Sequence, residues 1–256
     1  MLKSLRTALA VTASAIVVFT LASSANAAAP TGKQGGRIEQ ELKSFLQGVE
    51  KNKPLALPMA PGGKDPHGKL DETKLLNLAL QHLYAGKAAE AVKTLDMGIS
   101  RYPRFHKFYG LRASIHLSKS RFGSALADLK EALALNPDDA MLLVHRALAY
   151  RGFGSNTQAM ADLNRAIALK PGMMIAWYNR ADLNVKLGQM ELAVKDFRKA
   201  TEIAPKEPAP AFNLAMALAA MGKKDEAIAE MKRLQGFAPS AEWKKRAGCH
   251  LAKREG

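Results

Sequence analysis

The chain has 256 residues and a formal net charge of +15 at pH 7. Hydrophobic residues make up 48% of it, which excludes a wholly disordered protein. Aromatic residues make up only 6%, so Leu, Ala and Met must do most of the packing, and this favours helices over an aromatic-rich β-sandwich. The one cysteine, Cys249, excludes a disulfide framework within one chain and any metal site of the CxxC type.

Residues 1–27 are predicted to be a secretory signal peptide. Lys3 and Arg6 give a positive start, residues 8–21 form an apolar centre, and Ala25-Asn26-Ala27 is typical of a cleavage site. The alternative is a permanent membrane anchor, because the uncharged run from residue 7 to residue 32 is long enough to span a bilayer. We therefore expect a periplasmic or secreted protein, with membrane contact only if this segment stays uncleaved.

A 34-residue period follows. Five prolines recur at this spacing, namely Pro103, Pro137, Pro171, Pro205 and Pro239. With proline at position 32 of each unit, the predicted repeats are 72–105, 106–139, 140–173, 174–207 and 208–241. Position 8 is Ala in every repeat, position 20 is Ala in every repeat, and position 15 is Gly in four of the five.

These choices predict a helical hairpin in each repeat. Positions 4, 7, 8 and 11 share one face of a first helix, and positions 20, 24 and 27 share one face of a second. Small residues at positions 8 and 20 let the two backbones approach, while large residues at positions 4 and 24 fill the space beside them. Gly at position 15 ends the first helix and Pro at position 32 stops the second. Stacked hairpins bury the remaining apolar side, so the fold class is all-α.

The pattern resembles the tetratricopeptide repeat (TPR) family. The best-matching residues are Trp177, Arg180, Ala181, Asn184, Gly188, Ala193, Phe197, Ala200 and Pro205. The resemblance covers residues 72–241 and implies a right-handed α-solenoid of about five hairpins. The family shares an architecture rather than an activity, so the resemblance implies a scaffold that binds other proteins.

Segments outside the repeats look like caps. Residues 28–71 contain an amphipathic helix over 37–51 and a linker rich in Pro, Gly and Lys. Residues 242–256 are predicted to form a C-terminal capping helix with Trp243 on its packing side.

No pattern of residues indicates an active site, a metal site or a bound cofactor, and we expect no enzyme. The six histidines form no HxxxH or HExxH motif, and His82 and His116 occupy a packing position of repeats one and two. Arginines at position 7 and aspartates at position 23 recur in three repeats and are predicted to bridge the two helices of each hairpin: Arg112, Arg146 and Arg180, with Asp128, Asp162 and Asp196.

Positions 2, 5, 9 and 12 of the first helices are predicted to line a concave groove that binds a partner's helix or an extended apolar segment. The residues predicted to bind, called the groove residues below, are Met141, Val144, Leu148, Arg151, Ile175, Tyr178, Asp182, Val185, Phe212 and Met216. The alternative is that the protein's own N-terminal arm, with Leu55, Leu57 and Met59, covers them.

The leading functional hypothesis is a non-catalytic interaction scaffold of the cell envelope. The alternative is a basic protein that binds a polyanion such as an acidic polysaccharide, acting in polysaccharide assembly or export, since the net charge is strongly positive. We expect no nucleic-acid partner, because an exported protein seldom meets nucleic acid. Cys249 could form an intermolecular disulfide in an oxidising compartment.

Overall fold

The computed structural model describes residues 70–237, 240, 242–243 and 248, which are helical and contain no strand. The described residues fall into two compact units, which divide between residues 121 and 122. In the first unit α1 (Glu72–Tyr84), α2 (Ala88–Arg101) and α3 (His106–Ser118) pack in chain order.

The second unit contains the next seven helices. These are α4 (Phe122–Leu135), α5 (Ala140–Gly152), α6 (Asn156–Leu169), α7 (Met174–Lys186), α8 (Met190–Ile203), α9 (Pro208–Ala220) and α10 (Lys224–Phe237). Each packs against the next, and α5 also contacts α7. The predicted all-α class built of helical hairpins is confirmed. No helix among the described residues has both the length and the apolar character that crossing a membrane requires.

In every repeat, the residue at position 15 lies in the turn after the first helix and has a left-handed backbone conformation. The glycines at this position have φ between +72° and +80°, and Ser120, which replaces glycine in the second repeat, has φ +53°. The turn after α7 shows how this closes a helix: beyond Gly188, the Gln189 N–H donates to the Asn184 carbonyl at 2.9 Å. Glycine adopts this backbone conformation without the steric penalty that other residues incur, which explains its recurrence.

The core includes the small and large residues that the periodicity selected at positions 8, 20 and 24. The alanines at positions 8 and 20 are all at most 3% exposed, and large side chains such as Leu95 and Phe197 fill the space beside them. α2, α4, α6 and α8 each end two residues before a periodic proline. Proline therefore stops the second helix without interrupting its interior.

Two of the predicted arginine–aspartate bridges are present in the second unit. Arg146 forms two hydrogen bonds of 2.7 Å to Asp162, and Arg180 forms two of 2.7 and 2.8 Å to Asp196. The Asp162 carboxylate raises the pKa of Arg146, chiefly through these hydrogen bonds. In the first unit, Arg112 donates to Asp96 at 2.6 Å.

Candidate interaction surface

The groove residues lie on three first helices of the second unit. α5, α7 and α9 carry them at the same positions of three successive repeats, so the helical period turns them to one side. The structure divides them by burial. Five are buried and form a floor, namely Val144, Leu148, Ile175, Tyr178 and Phe212, whereas Met141, Arg151, Asp182, Val185 and Met216 are partly exposed.

This division is a difference from the sequence-based expectation, which treated all ten as available to a partner. Val144 is fully buried and Tyr178 is 3% exposed, so neither can supply much contact area. Their burial follows from packing along α5 and α7, each of which has buried residues on more than one side. The accessible part of the surface is therefore smaller and more polar than the sequence indicates.

Arg151 and Asp182 form an ion pair between α5 and α7. The guanidinium donates to a carboxylate oxygen of Asp182, and the two side chains are 17% and 25% exposed. Burial raises the pKa of Asp182, and the charge of Arg151 opposes that rise. The two charged groove residues are thus paired with each other, and the exposed Lys186 on α7 adds a further attraction to the Asp182 carboxylate.

Tyr178 connects two neighbouring repeats beneath this surface. Its ring packs edge-on against Phe197 at a centroid distance of 5.7 Å, and its hydroxyl accepts a hydrogen bond of 2.9 Å from Asn213 on α9. An aromatic residue with both contacts is held in one orientation. Tyr178 therefore acts as a rigid part of the floor.

At the C-terminal end, Trp243 packs on the groove residue Phe212. The rings meet edge-on at 5.8 Å, and the backbone N–H of Trp243 donates to the Ser240 hydroxyl at 3.4 Å. The predicted packing role of Trp243 is thus observed. Residues 244–247 and 249–256 of the predicted capping helix, which include Cys249, lie outside the described residues. The signal peptide, the 37–51 helix and the arm with Leu55, Leu57 and Met59 lie outside them as well.

A second surface of the same unit exposes apolar side chains near the turns. Phe153 is 58% exposed, and Leu187 and Leu192 are 42% and 48% exposed. A cleft of about 430 Å³ lies beside Leu187 and is lined by uncharged residues: Asn156, Thr157, Met160, Ala161, Asn164, Leu187 and Gln189. Sequence reasoning missed this surface because position 14 of the repeat plays no part in the packing pattern.

The described residues contain no group of three or more His, Cys, Asp or Glu side chains that could hold a metal ion. His82 and His116 are half-buried on their helices. His145, which the sequence pattern did not single out, is 1% exposed.

Comparison with known proteins decides the family. One tetratricopeptide repeat model matches residues 76–140 and 144–208, and a second matches residues 186–246. The chain belongs to the tetratricopeptide repeat family. TPR proteins are generally interaction scaffolds rather than enzymes. A comparison with curated protein sequences gives no match.

Solved structures show the same fold at low sequence identity. TTC0263, a TPR protein from Thermus thermophilus, is 22% identical with a TM-score of 0.60, and the alignment covers 71% of this TPR protein and 100% of that chain. PilW, a type IV pilus biogenesis factor, is 20% identical with a TM-score of 0.65 over 72% and 86% of the two chains. YrrB, a TPR protein with an unusual peptide-binding site, is 15% identical with a TM-score of 0.53 over 81% and 98%.

Proposed function

We propose that this TPR protein is a non-catalytic scaffold of the cell envelope that binds an apolar segment of a partner protein across α5, α7 and α9. The observation that carries the proposal is the mutual neutralisation of Arg151 and Asp182 among apolar groove residues. A charged group on a partner would gain little from a pair that is already satisfied, and it would lose hydration on burial. The preferred partner segment is therefore uncharged where it crosses the pair.

The accessible groove residues suit this role. Met141 and Met216 are partly exposed, and Val185 is partly exposed beside the ion pair on α7. Methionine side chains are flexible and polarisable, so they adapt to apolar partners of different shape. The rigid floor made by Tyr178 and Phe212 limits the ordering cost of binding. The related fold of YrrB, which has a peptide-binding site, supports a peptide as the kind of ligand.

The binding face is tested with a matched pair of substitutions on α7. Val185→Glu changes a groove residue, and Lys186→Gln changes an exposed residue next to it; each lowers the net charge by one. A photo-crosslinking residue is placed at position 216 of the full chain. In cells we expect it to form a discrete covalent adduct with the partner protein. We expect the adduct to be lost in Val185→Glu and retained in Lys186→Gln. Equal adducts in both variants would remove the groove assignment.

The envelope location rests on the signal peptide pattern alone. If the pattern is correct, the protein recovered from a periplasmic or secreted fraction begins at Ala28. Sequencing of the mature N-terminus measures this directly. A chain that keeps Met1 and is found in the cytosolic fraction would overturn the location and leave the binding face untouched.

The polyanion alternative receives less support from the side chains. Six basic residues occupy positions 25 and 26 of the last four repeats: Lys130, Arg165, Arg198, Lys199, Lys232 and Arg233. Four of them form ion pairs with nearby carboxylates, as Arg165 does with Asp138 and Lys199 with Glu202. A paired cation projects a weaker field, so this surface is a poorer attractant for a polyanion than its sequence indicates.

A further inference from the structure

His145 is a buried base whose ring nitrogens have no hydrogen-bond partner. It lies in the middle of α5, next to the groove residue Val144 and three residues before Leu148, and it is 1% exposed. Among the described residues, neither Nδ1 nor Nε2 finds a donor or an acceptor. A neutral imidazole tolerates such a site at a cost, but an imidazolium, which has two N–H donors and a charge, tolerates it far less.

The charges around His145 do not compensate a proton on it. Asp139, at the start of α5, is the described carboxylate that acts on the ring through space. On the neighbouring helices, Asp162 is engaged by Arg146 and Asp182 by Arg151. The remaining titratable groups on α5 and on the helices packed against it are Asp128, Lys130 and Glu131 on α4; Tyr150 on α5; Arg165 on α6; and Tyr178, Arg180 and Lys186 on α7.

We propose that His145 is an acid-sensitive latch in α5, such that uptake of a proton by its ring opens the packing of this helix and displaces the groove residues on either side. The latch goes beyond the proposed function, since it acts whether or not a partner is bound. Val144 and Leu148 are carried by the same helical turns as His145, so loosening of those turns also disturbs the floor of the groove. Acidification would then weaken binding there.

Linkage gives the size of the effect. Burial lowers the pKa of His145 from 6.5 to about 4, and the charge of Asp139 acts in the opposite direction. The unfolded chain binds the proton more tightly than the folded one. The free energy of unfolding is therefore highest above pH 6.5 and decreases as the pH falls towards 4. Between pH 7 and pH 5 this one group increases the unfolding equilibrium constant roughly 20-fold.

The first test compares urea unfolding of the full chain at pH 7 and pH 5. The variants are His145→Leu and, as a matched control, His82→Leu, which changes a half-buried histidine in the first unit. Other groups titrate alike in all three proteins and cancel. Between pH 7 and pH 5 we expect the unfolding constant of His145→Leu to rise roughly 20-fold less than that of the wild type, and also less than that of His82→Leu. An equal effect in all three proteins would overturn the latch.

Two further measurements keep the test decisive. If His145→Leu does not fold, His145→Gln takes its place in the urea experiment, because its side chain is also neutral. Independently of any variant, the His145 ring resonance of the wild type is titrated by NMR. A ring that titrates near pH 6.5 in the folded protein overturns the proposal. Hydrogen exchange, corrected for its intrinsic pH dependence, is expected to show protection falling more in α5 than in α10 at pH 5. An equal fall in both helices would rule out local opening.

Discussion

Trp177 donates a hydrogen bond of 2.8 Å from Nε1 to the carbonyl oxygen of Pro171. Pro171 closes one repeat and Trp177 is the fourth residue of the next, so the bond joins successive hairpins. In the first unit, Tyr109 makes the corresponding bond of 3.1 Å to the carbonyl of Pro103. Proline therefore does more than end a helix: its carbonyl, which lies beyond the end of the helix, is an acceptor for the following repeat.

Replacing Trp177 by Phe removes this donor and part of the ring while keeping an aromatic residue beneath Arg180. The Arg180 guanidinium lies 4.8 Å from the Trp177 ring, and a smaller ring keeps part of that attraction. We expect a loss of about 1–2 kcal/mol in the free energy of unfolding, measured by urea denaturation. Tyr109→Phe removes only a hydroxyl and should cost about 0.5–1 kcal/mol. Unchanged midpoints in both variants would mean that these bonds contribute nothing.

Much of the hairpin architecture could be predicted because its determinants are local. Small residues recur at two positions of every repeat, which Ala79 and Ala91 occupy in the first. Their fixed spacing predicts close helix packing without any knowledge of distant contacts. The Arg146–Asp162 bridge was predictable for the same reason, since both residues belong to one repeat. Gly188 could be assigned to a left-handed turn from its position alone.

The candidate site was less predictable because it depends on neighbouring repeats. Helical spacing places Arg151 and Asp182 on one side, but it does not state that they pair with each other. Nor does it distinguish buried Tyr178 from partly exposed Val185, which occupy the same stripe of α7. The burial of His145 likewise arises from helices packed around α5, and one-dimensional periodicity carries no information about how completely they enclose a side chain.

Ser120 offers a stabilising substitution. It has φ +53° at the turn position where four other repeats have glycine, so its side chain incurs a steric penalty. Ser120→Gly is expected to raise the free energy of unfolding by about 0.5–1 kcal/mol, measured by urea denaturation. The reciprocal control Gly154→Ala, at φ +80°, should lower it by about 1 kcal/mol. A destabilised Ser120→Gly protein would show that the strain at Ser120 is smaller than the cost of the extra freedom that glycine has in the unfolded chain.

Asp162→Asn is expected to destabilise the second unit. The Asp162 side chain is 8% exposed and receives two hydrogen bonds from Arg146, which is itself largely covered. The amide removes the charge and leaves the guanidinium poorly paired, so we expect a loss of about 2–3 kcal/mol in urea unfolding. Asp138→Asn is the control, because the Arg165–Asp138 pair is 50% and 70% exposed. It should cost less than about 0.5 kcal/mol. Similar costs for the two variants would contradict the role of burial.

Gly98 sits beneath an aromatic ring of the following repeat. A Cβ placed on it would lie 2.8 Å from carbons of the Phe108 ring, and Phe108 is fully buried, so the ring has little room to move. Gly98→Ala should therefore lower the free energy of unfolding by about 1–3 kcal/mol despite the higher helix propensity of alanine.

A control and a rescue separate the clash from any other effect of the methyl group. In α10, a Cβ on Gly236 would meet no described atom within 4 Å, so Gly236→Ala is expected to be neutral or to stabilise by up to about 1 kcal/mol. Adding Phe108→Leu to Gly98→Ala removes the ring that clashes, so Gly98→Ala should cost less in a chain that already carries Phe108→Leu than in the wild type. The wild type, Gly98→Ala, Phe108→Leu and the double variant form a double-mutant cycle, in which the free energy of unfolding is measured with urea. Additive effects in that cycle would show that Gly98 does not serve to admit the Phe108 ring.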